Sequence, residues 1–212
     1  MHDLPTLYGA SYSVYVRTVR LTLAEKGVAY RQVEVDVFAP GGPPAEYLAR
    51  QPFGRIPAFD HAGFALYEAT AIARYIDEVF PGPPLSPGEP RRRARMNQAL
   101  SILDGHAYRT LVWDIYVERV SNPASGKPTD EARIARALPD AKRCLRALAA
   151  LSDGGAFLAG PDLSLADLHA APMFEYFMRT PEALPLMAEV AGLGQWWQRI
   201  SARDSMRSTA PT

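Results

Sequence analysis

Two serines stand in the turn predicted between the first strand and the first helix of the chain. Ser11 and Ser13 lie between the apolar run Leu4 to Tyr8 and a segment with helical periodicity that begins at Val14. Backbone N–H groups and the positive end of the helix dipole converge at such a turn. A serine hydroxyl there can donate a hydrogen bond to an anion, including the thiolate of a bound thiol. It can equally serve as the helix N-cap, and the residues alone leave both roles open.

A thiol in such a reaction has to come from a ligand, because the chain contains one cysteine, Cys144. One cysteine excludes an intramolecular disulfide, a redox Cys-x-x-Cys pair and a cysteine-rich zinc site. Cys144 stands beside the apolar stripe of a predicted helix, so we expect it to be a buried structural thiol. The histidines show no metal-ligand spacing, and no metal is expected.

The net charge of the chain argues against some classes of binding partner. The chain has 212 residues with 23 basic and 23 acidic side chains, which gives a formal net charge of zero. A zero balance argues against a nucleic-acid binder and against a polybasic membrane-surface binder. The sequence contains neither an apolar run long enough to span a membrane nor a signal-peptide pattern at its start. We therefore expect a globular, cytoplasmic protein that acts without nucleic acid or membrane.

Hydrophobic periodicity predicts the elements that must position these residues. Up to residue 80 the order is β-α-β, a short helical patch at 45–50, and then β-β-α. Residues 81–90, with five prolines, are typical of a linker. The rest shows helical periodicity without a strand pattern, at 91–120, 129–152, 164–178 and 193–203. Pro139 predicts a kink or a break in the second of these helices. The predicted division is an α/β domain at 1–80, the linker, and an all-helical domain at 91–212.

Three segments of the first domain, in order, resemble the N-terminal domain of cytosolic glutathione transferases. They are LYGASYSVYVRTVRLTLAEKGVAYRQVEVDV, PFGRIPAF and LYEATAIARYI, and the proline-rich linker and helical half match as well. The resemblance implies a thioredoxin-like domain that binds glutathione as co-substrate, and a helical domain that supplies the pocket of a small electrophile. It also implies a homodimer. The alternatives are a glutathione-dependent peroxidase or thiol reductase, and a non-catalytic binding or interaction module that keeps the fold.

The resemblance implies a role for one hydroxyl above the others. Ser13 matches the thiolate-stabilising serine of the serine-type classes, phi and theta. Ser11 is the alternative, and Tyr8 comes third because it matches a position where other classes carry a catalytic tyrosine.

Five further residues are expected to bind glutathione: Arg55, Ile56, Pro57, Glu68 and Ala69. In the resembled family the proline that matches Pro57 follows a cis peptide bond, which turns the preceding backbone toward the cysteinyl unit of glutathione. Ile56 would then pair with that unit through its N–H and C=O. Glu68 opens a predicted helix whose N-terminus favours the γ-glutamyl carboxylate, and its own carboxylate can pair with the ligand's ammonium group. For Arg55 the alternative is a solvated side chain.

Two departures from the family pattern predict weaker glutathione binding. Ala69 stands where the family usually has serine, so the backbone N–H remains but the hydroxyl is lost. Related serine-type proteins often have His or Lys near 41–44, whereas this chain has no basic side chain between Arg31 and Arg50. These departures motivate the non-catalytic alternative.

A candidate pocket for the electrophile lies on the first helix of the helical domain. Residues at 3- and 4-residue steps would share one face of an α-helix. We expect four residues of that helix and two tyrosines of the first domain to line the pocket: His106, Arg109, Trp113, Tyr116, Tyr12 and Tyr15. The alternative for the helical face is a core or dimer stripe. Elsewhere, Ser164 to Asp167 has the form of a capping box, which we assign to folding rather than catalysis.

Overall fold

A four-stranded mixed sheet with three helices forms the first part of the chain. In the computed structural model, which describes residues 4–211, the strands are β1 (Thr6–Tyr8), β2 (Arg31–Val33), β3 (Ala58–His61) and β4 (Phe64–Tyr67). Their order is β2-β1-β3-β4, with β1 parallel to β2 and antiparallel to β3, and β3 antiparallel to β4. The helices are α1 (Val14–Glu25), α2 (Ala45–Leu48) and α3 (Ala69–Val79). The predicted β-α-β, β-β-α arrangement is confirmed.

Strand β2 is shorter than the alternating pattern at 30–37 predicts. Its pairing ends at Val33, where the Gly9 N–H donates to the Val33 carbonyl at 2.9 Å and the neighbouring chain turns away. Val35 is nevertheless buried between exposed Glu34 and Asp36. The alternation therefore indicated which side chains face the core, while the length of the partner strand decided where pairing stops.

Gly9 lets the turn before α1 approach the segment before β3. Its φ is 145°, and a Cβ atom there would lie 2.4 Å from Val16 Cγ2 and 3.1 Å from Ile56 Cβ. A side chain has no room at this crossing, so glycine is required. The close approach brings the turn that holds Ser11 and Ser13 against Ile56.

The second part of the chain is helical, as predicted. Its helices are α4 (Pro90–Ile102), α5 (Leu103–Ser121), α6 (Asn122–Ala124), α7 (Glu131–Leu151), α8 (Leu165–Phe177), α9 (Ala183–Ala188) and α10 (Leu193–Ser201). The predicted helix at 91–120 is present, but α5 has the wider hydrogen bonding of a π-helix. Helix α7 continues through Pro139 without the break that the sequence allowed.

Asp167 anchors the start of α8 and confirms the capping box. Its carboxylate is fully buried and accepts four hydrogen bonds, from the Ser164 N–H and hydroxyl, the Leu158 N–H and the Trp196 indole, at 2.8–2.9 Å. Burial raises the pKa of Asp167, and the four donors offset part of that rise. The group is thus a folding element.

The chain divides into two compact units whose limits differ from the predicted domains. The second unit is Leu85–Ala202, and the described residues from Arg203 onward belong to the first unit. Helix α11 (Asp204–Ser208) packs on α1 there. Arg203 forms a two-pronged ion pair with Glu25 at 2.7 Å, and Arg17 Nη2 donates to the Met206 carbonyl at 2.9 Å. These contacts join residues far apart in sequence, which periodicity does not reveal.

Within residues 4–211, none of the helices has the length and apolar character needed to cross a membrane.

Candidate active site

Ser13 is the N-cap of α1. Its backbone is extended (φ −70°, ψ 128°), and its Oγ accepts a hydrogen bond from the Val16 N–H at 3.4 Å. Capping uses a lone pair of the hydroxyl oxygen and leaves the proton available. No acceptor for that proton lies within the part of the chain that the structure describes. The two roles left open by the sequence are therefore compatible, because Ser13 can cap α1 and donate to a ligand anion at once.

The two alternatives to Ser13 lie close to it along the chain. Ser11 is half-buried in the same turn. Tyr8 closes β1, and the Arg50 guanidinium lies 4.9 Å from the centre of the Tyr8 ring. This cation–π contact covers one face of Tyr8 with a neighbouring side chain.

Ile56 offers a backbone edge next to the sheet. The Ile56–Pro57 peptide bond is cis, as the resemblance implies. Strand β3 begins at Ala58, and neither the N–H nor the C=O of Ile56 forms a hydrogen bond with any of residues 4–211. Ile56 is buried, and buried backbone groups in proteins are almost always paired. The pair of groups suits an extended peptide ligand that adds to the edge as a further strand.

Two buried side chains that the sequence analysis missed hold the loop before Ile56. The Tyr47 hydroxyl donates to the Arg55 carbonyl at 2.6 Å, and burial raises the pKa of Tyr47. Gln51 Oε1 accepts the N–H groups of Phe53 at 2.8 Å and Arg55 at 3.1 Å. The backbone on the N-terminal side of Ile56 is thereby fixed. The Arg55 guanidinium is exposed, without a partner among the described residues.

The N-terminus of α3 presents unused donors beside a strained residue. The first helical hydrogen bond runs from the Ile72 N–H to the Glu68 carbonyl at 3.0 Å, so the N–H groups of Ala69, Thr70 and Ala71 have no backbone acceptor in residues 4–211. Glu68 has φ 71° and ψ 113°, and its exposed carboxylate does not cap the helix. A non-glycine residue at positive φ costs about 1–3 kcal/mol, and such residues cluster at ligand sites.

The two departures from the family pattern have structural counterparts. The Ala69 side chain is buried in the apolar core of the first unit, while its N–H lies among the unused donors. Gly41 and Gly42 both have positive φ, 90° and 74°, in a turn closed by the Gly42 N–H to the Ala39 carbonyl at 2.9 Å. This turn carries no cationic side chain.

Tyr12, which precedes Ser13 in the sequence, and Phe38 form a pair of stacked aromatic rings. Their rings stack at 6.2 Å, and Phe38 is 66% exposed. The Tyr12 hydroxyl donates to Asp36 Oδ1 at 2.6 Å, and this bond, with the Phe38 N–H, lowers the pKa of Asp36. The sequence did not predict Phe38 as a pocket residue. Its exposed aromatic ring makes it a candidate for contact with a ligand. Tyr15 is half-buried against the core of the first unit.

The four predicted pocket residues of the second unit lie in α5. His106 and Arg109 are exposed, whereas Trp113 and Tyr116 are half-buried. Tyr116 stacks on Tyr176 at 4.4 Å, and Arg109 pairs with Asp114 at 3.0 Å. A π-helix winds more widely than an α-helix, so the 3- and 4-residue spacing does not align these side chains as expected. Their role as pocket residues stays a prediction.

The potential metal ligands and the cysteine can be located among residues 4–211. No group of three or more His, Cys, Asp or Glu side chains there could hold a metal ion. Cys144 is buried, as expected, and burial raises the pKa of its thiol. An activated cysteine needs the opposite shift.

The chain matches known proteins over both of its parts. The model of the glutathione S-transferase N-terminal domain matches residues 7–84, and that of the C-terminal domain matches residues 109–204. The chain is 33% identical over 208 residues to a probable glutathione S-transferase GSTF1 of Oryza sativa subsp. japonica, covering 96% of this chain and 94% of the relative.

Solved structures resemble the whole chain. Glutathione transferase F7 from Populus trichocarpa has a TM-score of 0.84 and 30% identity, covering 97% of each chain. The theta-class glutathione S-transferase of Xanthomonas axonopodis pv. citri, solved with glutathione bound, has a TM-score of 0.82 and 27% identity, covering 100% of this chain and 99% of its own.

Proposed function

Because this chain belongs to the glutathione transferase family, we propose that its first unit activates the thiol of glutathione for attack on a small electrophilic molecule. One observation carries the proposal. Three sets of unused polar groups follow or precede strand residues that meet at Ala58, which pairs with both Tyr8 and Tyr67. They are the Ser13 hydroxyl, the Ile56 peptide groups and the amides that open α3. A thiolate, a peptide bond and a carboxylate are the partners that these groups need, and glutathione contains all three.

Each end of the tripeptide has a proposed partner. The cysteinyl unit pairs with the N–H and C=O of Ile56, beside Pro57, as an added strand. The γ-glutamyl carboxylate accepts from the Ala69 N–H and its neighbours, where the α3 dipole favours an anion. Glu68 pairs with the ammonium group. Arg55, whose guanidinium is exposed, supplies a cation for the glycyl carboxylate in place of the basic residues that 41–44 lack.

Ser13 would act by stabilising the thiolate. A free thiol has a pKa of about 8.5, and lowering it by ~2 units requires ~2.7 kcal/mol of preferential anion stabilisation. One charge-assisted hydrogen bond contributes ~1.5–3 kcal/mol, and the α1 N-terminus adds to it. The sulfur then forms a bond to the electrophilic carbon, and the leaving group departs with its electron pair. Tyr12, Tyr15 and Phe38 provide apolar surface for the electrophile on the side of the first unit.

The same proposal includes a cytoplasmic homodimer. Phe53 is 67% exposed and touches Tyr67 edge-on at 6.0 Å. Exposed aromatic pairs of this kind are common at protein interfaces. Sedimentation analysis should give a dimer mass for the native chain and a lower mass for Phe53→Asp.

The test compares Ser13→Ala with Ser11→Ala as a matched control. For the native chain we expect retention on immobilised glutathione and turnover of a chloronitrobenzene that rises with pH through a pKa well below ~8.5. Ser13→Ala should still be retained but should move that pKa toward ~8.5, whereas Ser11→Ala should leave it in place. The opposite pattern would assign the role to Ser11. Absence of both retention and turnover in the native chain would favour the non-catalytic module, and turnover of peroxides or disulfides alone would favour the reductase.

A further inference from the structure

A single carboxylate oxygen contacts both members of the exposed aromatic pair in the first unit. Asp36 Oδ1 accepts the Tyr12 hydroxyl at 2.6 Å and the Phe38 N–H at 2.8 Å. The two rings stack with their centres 6.2 Å apart and an angle of 27° between their planes. The same two hydrogen bonds lower the pKa of Asp36, so its carboxylate is ionised and accepts both donors at neutral pH.

Alternating burial brings Asp36 and Phe38 to the solvent side of the segment after β2. Val35 and Val37 pack on the apolar core of the first unit, whereas Asp36 and Phe38 are exposed. Tyr12 reaches the same side from the turn before α1. Core packing therefore anchors the backbone of the segment, and Asp36 joins its exposed side to the turn that contains Ser13.

Both rings keep a large exposed area in this arrangement. Tyr12 is 38% exposed and Phe38 is 66% exposed. Aromatic rings offer a flat ligand a large contact area, with offset-stacked and edge-to-face arrangements preferred. The bond to Asp36 uses the hydroxyl proton of Tyr12, so Tyr12 offers a ligand its ring. Rings that are held in place before a ligand arrives lower the entropic cost of binding.

We propose that Asp36 is a positioning residue for the electrophile, because it holds the Tyr12 and Phe38 rings where a flat ring can contact both. The inference rests on the proposed function, since that function assigns the two rings to the electrophile. Asp36 acts through its two hydrogen bonds and not through contact with either substrate. Its loss should therefore weaken binding of the electrophile and leave binding of glutathione unchanged.

The first assay measures binding of 1,3-dinitrobenzene, an unreactive flat ring, without glutathione. NMR follows the ring signals of a chain labelled at phenylalanine, and the signal that is lost in Phe38→Leu identifies Phe38. In the native chain we expect the probe to shift this signal until the site is saturated. Asp36→Ala should weaken binding about fivefold and Tyr12→Phe about threefold, the sizes expected when two or one exposed hydrogen bonds are lost.

Two control variants remove similar groups outside the clamp. Glu34→Ala deletes an exposed carboxylate from the same segment, and Tyr30→Phe deletes a tyrosine hydroxyl that accepts from Arg20 Nε at 3.2 Å. Both should bind the probe as the native chain does.

Two further variants distinguish positioning from general damage to the fold. Asp36→Asn keeps an oxygen acceptor in the same place and should bind the probe within about twofold of the native chain. The double variant Tyr12→Phe/Asp36→Ala should bind no more weakly than Asp36→Ala alone, because both changes break the same hydrogen bond. Losses that add in full would show that the two residues act independently and would overturn the proposal.

Turnover gives a second, independent measurement. In Asp36→Ala the KM of a chloronitrobenzene should rise by the factor seen in probe binding, while kcat and the KM of glutathione stay at their native values. The proposal is overturned if the probe leaves the Phe38 signal unmoved, if Asp36→Ala binds it as tightly as the native chain, or if the KM of glutathione rises equally. A chain that binds the probe at Phe38 but shows no turnover would contradict the proposed function alone, so the two can fail separately.

Discussion

Glu68 combines backbone strain with a proposed ligand contact, and substitution can separate the two. In Glu68→Gly the strain at φ 71° is relieved, which is worth ~1–3 kcal/mol, while the added freedom of glycine in the unfolded chain costs ~0.5–1 kcal/mol. We expect a net gain of about 1 kcal/mol in unfolding free energy, or a rise of ~2–4 °C in Tm. The same variant removes the carboxylate proposed to hold the ammonium group of glutathione. The dissociation constant of glutathione should rise about fivefold. This corresponds to a loss of ~1 kcal/mol in binding free energy, the value of an exposed ion pair.

Two control variants separate the effect of backbone strain from the effect of the lost carboxylate. Glu68→Gln keeps the strained backbone and loses the charge, so calorimetry should report weaker glutathione binding without the gain in Tm. Ala62→Gly relieves a positive φ of 53° in the β3–β4 turn and should raise Tm while leaving glutathione affinity unchanged. A lower Tm for Glu68→Gly would exclude relief of strain at this position, and native affinity for glutathione would exclude the proposed contact of the Glu68 carboxylate.

Two further predictions concern stability. Asp167→Ala leaves four buried donor groups without their acceptor and should lower the unfolding free energy by ~3–5 kcal/mol in urea denaturation. Asp162→Ala, at an exposed position, should change it by less than ~0.5 kcal/mol. Burial alone would raise the pKa of Glu25, but Arg203 and Ser205 together lower it below 4.5. Its stabilising effect is complete above the unfolded pKa and is lost as the pH falls through the folded pKa, so the native chain should lose more stability below about pH 4.5 than Glu25→Gln. Equal losses would contradict this.

The fold was predictable where periodicity and turn residues determine the structure. The strand–helix order of the first unit and the helices of the second follow from local patterns. The π-helical winding of α5 did not, because apolar spacing of 3 and 4 residues does not distinguish i→i+5 from i→i+4 hydrogen bonds. The docking of α11 on α1 depends on ion pairing between Glu25 and Arg203, 178 residues apart, which no local window contains.

The residue types of the candidate site could be predicted from the sequence. Which of their polar groups are left without hydrogen bonds could not. The resemblance pointed to Ser13, Ile56 and Glu68, while the available Ser13 proton and the unpaired Ile56 amide became visible only in three dimensions. Tyr47 and Gln51 escaped notice because they act through side chain–backbone hydrogen bonds that have no sequence signature. Phe38 could not be predicted from the sequence, because the exposure of its ring depends on the fold.

In the proposed site, the Ser13 hydroxyl stabilises the thiolate of glutathione held on the Ile56 backbone. A crystal structure of the native chain with glutathione bound tests it most directly, through the distances from the sulfur to the Ser13, Ser11 and Tyr8 hydroxyl oxygens. We expect the sulfur to lie within hydrogen-bonding distance of Ser13 Oγ, with the cysteinyl N–H and C=O paired to Ile56. A sulfur bound to Ser11 or Tyr8 instead, with Ser13 Oγ beyond hydrogen-bonding distance, would contradict it.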